Sequence, residues 1–494
     1  MTFELETAAH PENLRRVVIE PVTRVEGHGK VTLLMDENNR VHQARFHIVE
    51  FRGFEKFIQG RPYTEVPVLV QRLCGICPVS HHLAATKAMD QIVGATITPS
   101  AEKLRRLMHM GQILQSHALH FFYLASPDLL FGFDAEVGQR NVVGVATAFP
   151  DIARQGIALR KYGQEIIRLT AGKRVHGTGS IPGGVNKNLN RAERDGLLAE
   201  IDQIIAWSLE AVQMVKKLFG DRPAFYTGFG FYRSSFMSLV RPDGALDLYH
   251  GGLRARDEHG QDIFDHLDTD HYWDVIHEEV KPWSYMKFPF IRSRGPEEGW
   301  YRVGPLARVN NCDFIPSPLA EQERQIFKQA GDATQATLAY HWTRMIEMLH
   351  CAEIIRELLL DDDLSGDDLV NTGERQLRGV GVIEAPRGTL IHHYRINEDE
   401  QIVRANLIVS TTHNNHAMNE AIRQVALQYL DGQELTEGLL NHIEVAIRAF
   451  DPCLSCATHA LGKMPLEVEL LDAAGTQVGH LVKNSQEPDW CAPS

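Results

Sequence analysis

The sequence predicts an α+β, helix-dominated fold, a large central helical bundle with small peripheral β-sheets. Long stretches in the middle of the chain repeat apolar residues at helical spacing, whereas short β-branched runs gather in the first fifty residues, at 379–409 and in the tail. No internal repeat, low-complexity linker or composition break interrupts 1–494, so the expectation is a single domain.

In chain order, "RRVVIEPV", "KVTLLMDE" and "VHQARFHIVEF" read as strands, and "DENNR" at 36–40 as a hairpin turn, which makes 1–60 β-rich. The pattern turns helical near residue 66. A long run from Pro99 opens on a Pro-Ser boundary with Glu102 in its first turn. Ile201, Ile204, Ile205, Leu209, Val212, Val215 and Leu218 form a stripe one helix face wide. Residues 318–360 and 414–450 extend the helical character, so 61–459 reads as a mainly helical core. Within it, "GVGVIEAPRGTLIHHYRI" and "QIVRANLIVS" flank the polar "NEDE", predicting a hairpin. A last strand pair, "LEVELLD" and "QVGHLV", flanks "AAGT" in the 460–494 segment.

A chain of 494 residues, 44% hydrophobic, can bury a sizeable core. Its net charge of −14 argues against a nucleic acid or an anionic membrane as partner. The acidic run "LLLDDDLSGDD" reads as a solvated loop. No uninterrupted apolar stretch is long enough to predict a membrane span, and no basic-then-apolar leader is visible at the start. Seven cysteines, an odd number in a long chain, fit a reducing cytoplasm better than a disulfide framework.

Four of those cysteines form two matching pairs, in "RLCGICPVSHH" at 72–82 and "DPCLSCATH" at 451–459. Thiolates are soft ligands, and a Cys-x-x-Cys spacing lets two sulfurs reach one metal from one turn. Pro78 predicts a helix start beside the first pair. Asp451 followed by Pro452 reads as an N-cap and first-turn proline beside the second. Helix N-termini favour thiolate, and Gly75 is expected to permit a sharp turn between the first two thiols. A structural zinc site and a pair of redox dithiols both fit the spacing. The separation of the pairs favours a buried site closed through the whole fold, because zinc modules keep their pairs close in sequence.

The flanking residues go further. "RLCGICPVSHH" followed by "DPCLSCATH" resembles the paired metal-binding motifs of nickel–iron hydrogenase large (catalytic) subunits. The likeness extends to "EPVTRVEGHGKV", "FRGFEKFIQG", "SIPGGV", "EAPRGTLIHH" and "IVSTTHNN". The wording of "VEFRGFEKF", "WSYMKFP", "VGPLAR" and "CLSCATHALGKMPL" is similar to the cytoplasmic, NAD-reducing (bidirectional) subgroup. Enzymes coupled to NADP or F420 share much of this pattern. A non-catalytic relative in respiratory complex I has the same fold but has lost the cysteines, and the intact Cys74, Cys77, Cys453 and Cys456 argue against that reading.

The resemblance implies the hydrogenase large-subunit fold and reversible heterolytic cleavage of H2 into protons and electrons. It implies nickel on Cys74, Cys77, Cys453 and Cys456, with Cys77 and Cys456 bridging to an iron that carries two cyanides and one carbon monoxide. Cys453 is then the candidate base. Glu26 relays the proton, with a plain ion pair to Arg24 or His28 as the alternative. Arg387 stands over the metals, with an ordinary ion-pair role as its alternative. Thr411 hydrogen-bonds a cyanide, His81 tunes a cysteine sulfur, and Glu55 and His459 hold Mg2+ or a similar divalent ion.

Two departures stand out. Ser116 falls where the family often has an aspartate, so Arg387 needs another partner, and a serine replaces a common proline in "IVSTTHNN". No cysteine cluster remains for iron–sulfur centres, and no G-x-G-x-x-G follows a strand, so no flavin, NAD or iron–sulfur cluster is expected in this chain. The implied partners are a small subunit with an iron–sulfur cluster, flavin- and NAD-binding diaphorase subunits, nickel-insertion factors, and a maturation endopeptidase that removes everything after His459.

Overall fold

The computed structural model describes residues 14–281 and 283–458, and the backbone of the strands Leu466–Leu471 and Gln477–Lys483. His459 lies outside the described residues.

The N-terminal strands form where alternation predicts them. Arg15–Ile19, Gly29–Met35 and Val41–Ile48 make a three-stranded antiparallel sheet, and the chain reverses through Asp36–Arg40. Period-two alternation turns Val31, Leu33, Met35, Phe46 and Ile48 inward. There the Phe46 N–H donates to Asn419 Oδ1 at 2.8 Å, docking the sheet on helix Asn415–Val425.

Helix Ala339–Leu359 lies at the centre, buried around its circumference, and packs against helices Pro99–Leu119 and Arg191–Asp221. A helix with no wettable face belongs inside a large core. Arg191–Asp221 instead buries one stripe, in which Ile201, Ile204, Ile205, Val212 and Val215 are fully covered and Leu209 and Leu218 half-buried. Asn190 starts it with a capping box closed by Glu193.

The 318–360 stretch divides into helices Pro318–Lys328 and Ala339–Leu359, separated by a turn at Gly331–Gln335. The 414–450 stretch breaks after Ala426–Leu430, where Gly432 takes a positive φ. It restarts at Glu437–Phe450 with Thr436 accepting from the Leu439 N–H. The sequence pattern missed a four-stranded sheet in the order Tyr301–Arg302, Ser235–Val240, Gly252–Arg256, Asp262–Leu267. Its strands are short, Arg254 and Arg256 make one of them strongly charged, and Asp262–Leu267 does not alternate.

The predicted hairpin at 379–409 is one strand larger: Arg378–Ala385, Gly388–Ile396 and Ile402–Ile408. The first two strands turn through Pro386 and Arg387, and the sheet packs on helix Pro78–Ile92. The expected tail strands pair antiparallel. The two ends of the described chain meet: the Leu454 N–H donates to the Glu26 carbonyl at 2.9 Å, and the Arg52 N–H to that of Thr458 at 3.1 Å. Among the described residues no helix is long and apolar enough to cross a membrane.

Candidate metal centre

The first cysteine pair is shaped by its own turn. Cys74 leaves the helical turn Val70–Leu73 in an extended conformation, and Cys77 occupies the N-cap position of helix Pro78–Ile92, with Pro78 first in the helix. The backbone N–H groups of Ile76 and Cys77 both aim at Cys74 Sγ, at 3.1 and 3.3 Å. Gly75 does not have the role expected of it: its φ is not positive, and a Cβ there would meet nothing within 4 Å. The turn is closed by N–H···S bonds that any residue could supply.

The second pair is placed from a distance. Asp451 is not an N-cap; it ends helix Glu437–Phe450 in the left-handed region, with φ 55° and ψ 54°. That reversal sends Cys453 toward the N-terminal loop, where it forms a parallel bridge with Glu26. Gly27, at φ +82°, permits the approach, since a Cβ there would lie 2.6 Å from the Ser455 nitrogen. The Cys453 N–H donates to Thr411 Oγ1 at 2.9 Å, and Cys456 follows on the turn Ser455–Ala457.

All four sulfurs converge within 4.8 Å of one another, and all four cysteines are buried. Cys74 and Cys453 are 3.3 Å apart, Cys77 and Cys456 3.6 Å, and Cys77 and Cys453 4.0 Å. Burial pushes the Cys74 thiol up, but hydrogen bonds from Cys453, Cys456 and Cys77 outweigh it and hold Cys74 well below the usual thiol value. Cys453 and Cys456 are driven well above it, by burial first and then, for Cys453, by the neighbouring sulfurs. The protein alone thus favours one thiolate. Unit charges 4 Å apart repel by about 4 kcal/mol at an effective dielectric of 20, so four thiolates need a cation among them. Four soft, buried donors with this spread fit a nickel-type or zinc-type ion and do not suit a hard one.

Glu26 Oε2 accepts from Cys453 Sγ at 3.0 Å and from the Ser455 N–H at 3.1 Å, and its other oxygen accepts from the Ser455 hydroxyl. Neither basic neighbour neutralises it: Arg24 pairs with Asp128 and His28 with Glu50. Burial, then the charge on Cys74, raises its pKa against the hydrogen bonds from Ser455 and Cys453.

Arg387 lines a small cavity together with Cys77, His81, Pro386, Thr411 and Cys453. Its Nε donates to the Asp451 carbonyl at 2.5 Å and its Nη2 to Asp451 Oδ1 at 3.0 Å. Nη1 is buried with no hydrogen-bond partner among the described residues. Asp451 is therefore the partner that the Ser116 departure called for, while the Ser116 hydroxyl is itself unpartnered among the described residues. The signal was present in "DPCLSC", where the aspartate adjoins the second pair.

His81 hydrogen-bonds no cysteine sulfur. Its Nδ1 meets His392 Nε2 at 3.1 Å, and His392 Nδ1 meets the Tyr394 hydroxyl at 2.6 Å. Burial takes His81 down to about 4, so the ring is neutral and held in orientation from behind. His82, His117 and His120 bind carbonyls or Glu347 within the core, whereas His176 reaches the Cys74 carbonyl at 3.1 Å.

Glu55, 3% exposed, accepts from the Leu407 N–H at 2.7 Å. Burial pushes it up to about 7, against the nearby charge of Lys287. A cation beside it would restore the carboxylate, and an oxygen donor suits a hard ion. Ser455 and His392 are site residues that sequence reasoning did not single out, and Asp451 was singled out only as an N-cap, not as the partner of Arg387.

The nickel-dependent hydrogenase family matches residues 52–134 and 249–459, and a HoxL-like family matches 16–51. The NAD-reducing hydrogenase HoxS subunit beta of Cupriavidus necator is 49% identical over 480 residues, covering 93% of this chain and 98% of that protein. An F420-non-reducing hydrogenase protein of Methanothermobacter thermautotrophicus is 41% identical over 472 residues, covering 94% of this chain and 99% of that protein. A crystal structure of an NAD+-reducing [NiFe]-hydrogenase in the H2-reduced state superposes with a TM-score of 0.89 at 57% identity, over 90% of this chain and 99% of that one. The family match spans all four converging cysteines, and the chain belongs to the nickel-dependent hydrogenase family.

Proposed function

We propose that this chain is the H2-activating subunit of a cytoplasmic hydrogenase that exchanges electrons with NAD. Cys74, Cys77, Cys453 and Cys456 would hold nickel, with Cys77 and Cys456 shared with an iron carrying cyanide and carbon monoxide. The observation that carries this reading is the convergence of the four sulfurs from opposite ends of a chain of this family. When bound, the metal pair supplies the Lewis acidity and electron capacity for heterolytic H2 cleavage.

The chain's own residues handle the proton. Cys453 receives it, and Glu26, 3.0 Å away, is within hydrogen-bonding reach to take it on. Burial raises the proton affinity of Glu26 toward that of its donor, and Ser455 fixes both carboxylate oxygens. Arg387 offers the free Nη1–H₂ to a cyanide or a diatomic in the cavity. Thr411 accepts from the Cys453 N–H through one lone pair of its hydroxyl, and its O–H remains to donate to a cyanide. His81 borders the same cavity and orients a neutral imidazole toward it. Glu55, with His459, would hold a magnesium or similar ion behind the centre.

Electrons leave through other chains: a small subunit with an iron–sulfur cluster, then flavin-bearing diaphorase subunits that meet NAD. The NAD-reducing relative supports this carrier by its higher identity. Residues 1–459 would work as one catalytic unit, and 460–494 would be removed by a maturation endopeptidase after nickel-insertion factors act. The test combines metal analysis, infrared spectroscopy and H2-dependent NAD reduction on the purified assembly. Stoichiometric nickel with carbon monoxide and cyanide bands, and NAD reduction by the assembly but not by this chain alone, is the expected result. Zinc without those bands in a chain ending at His459 would overturn it.

A further inference from the structure

Behind the cavity lies a buried charged cluster to which the proposed chemistry gives no task. Arg308, 1% exposed, uses all five of its N–H donors. Nε and Nη2 clasp both oxygens of Glu347, at 2.6 and 2.5 Å, and one Nη1 donor meets Glu384 Oε2 at 2.8 Å. The remaining two go to backbone: Nη1 to the Ala385 carbonyl at 3.0 Å and Nη2 to the Pro386 carbonyl at 3.2 Å. These are the two peptide oxygens immediately before Arg387.

The glutamates are anchored in turn. Glu347 accepts from His117 Nε2 at 2.8 Å. Glu384 Oε1 accepts from the Leu239 N–H and the Thr389 hydroxyl, each at 2.8 Å. On its other side the turn presses on the segment that leads into Arg308. Gly388, at φ +139°, would place a Cβ 2.3 Å from Val303 Cγ2 and 2.8 Å from the Gly304 nitrogen.

We propose that Arg308 is a positioning residue: it fixes the Ala385–Arg387 turn from below so that the Arg387 guanidinium stands over the sulfur cluster with Nη1 facing the cavity. This rests on the reading of the cysteines as a nickel–iron centre. A structural brace alone would need only the two glutamates. The donation to both carbonyls couples the guanidinium to the backbone that carries Arg387, and an ammonium with three donors cannot serve those five acceptor oxygens.

The experiment compares the purified multisubunit enzyme carrying Arg308→Lys with the wild type and with Arg387→Lys. It records the cyanide stretching bands, kcat and KM for H2, and the thermal midpoint. The expected result is retained nickel, cyanide bands displaced in the same direction as in Arg387→Lys, and a kcat lower by up to about 100-fold, the scale of a displacement of about 1 Å at a reacting centre. Unmoved bands and unchanged kcat with a lower thermal midpoint would overturn the proposal and leave Arg308 a core brace. Should Arg308→Lys not fold, Glu384→Gln, which keeps the side-chain shape but weakens one clasp, must displace the bands in the same direction; unmoved bands there overturn the proposal equally. A wild-type enzyme without carbon monoxide and cyanide bands overturns the metal reading, and this proposal with it.

Discussion

The two cysteine pairs have the same spacing and opposite origins. The 74–77 pair is a local object: its sulfur is held by the N–H groups of its own turn, and the helix from Pro78 fixes the second thiol. The 453–456 pair is held by residues from three other parts of the chain. Glu26 bonds its sulfur, Thr411 its backbone, and Arg387 grips the Asp451 that aims it. A metal that needs both pairs therefore reports on closure of the whole fold, because only one half of the site can form before the ends meet.

The largest effect tests what the halves share. Cys77→Ser or Cys456→Ser removes one sulfur from either pair, and each should abolish nickel retention and H2 oxidation. Metal analysis of the purified variants would break the comparison if one pair held nickel by itself.

Glu26→Gln separates ligation from proton transfer. The amide oxygen can still accept from the Ser455 N–H and its NH2 can donate to the Ser455 hydroxyl, but the side chain cannot carry a proton. H2 oxidation should fall by about 10²–10⁴-fold with nickel content unchanged, the usual scale for a lost general acid–base group. Equal turnover in wild type and variant would remove Glu26 from the proton route.

A smaller effect sharpens the contrast in how the pairs are held. Thr411→Val leaves the buried Cys453 N–H without an acceptor, at a cost of about 1–3 kcal/mol. Denaturant unfolding should register it, and a cost below that range would mean the second pair is more locally determined than its contacts imply. Gly75→Ala should be the mildest, within about 0.5 kcal/mol, because the added methyl meets open space. The same substitution at Gly27 forces an L-residue to φ +82° against Leu454 and Ser455, so unfolding curves of the two glycine variants should differ clearly. Similar curves would contradict the local-versus-distant distinction.

Much of this was readable from the chain. The N-terminal strands, the stripe from Ile201 to Leu218 and the turn at "NEDE" follow from periodicity, which depends only on neighbours in sequence. The sheet built on Ser235–Val240 escaped because its strands are short, carry charges, and are stabilised by a parallel partner at Tyr301–Arg302 far along the chain. Gly75 and Asp451 were misread for different reasons. The turn at Gly75 is closed by N–H groups of its own neighbours without a positive φ, whereas the local N-cap preference of Asp451 yielded to its contacts with Arg387.

The sequence by itself determined the ligands: four thiols in two matched pairs, a spacing that lets each pair reach one ion, and flanking motifs that mark the family. Only the tertiary structure decided how the site is held and charged. It joined Glu26 to Cys453, left Arg24 and His28 to other partners, replaced the missing aspartate at Ser116 with Asp451, and set Arg308 beneath the Arg387 turn. The physical reason is range. Ligand chemistry resides in each side chain, whereas hydrogen-bond partners and desolvation depend on which distant segments close around it, and that information is absent from any short stretch of the chain.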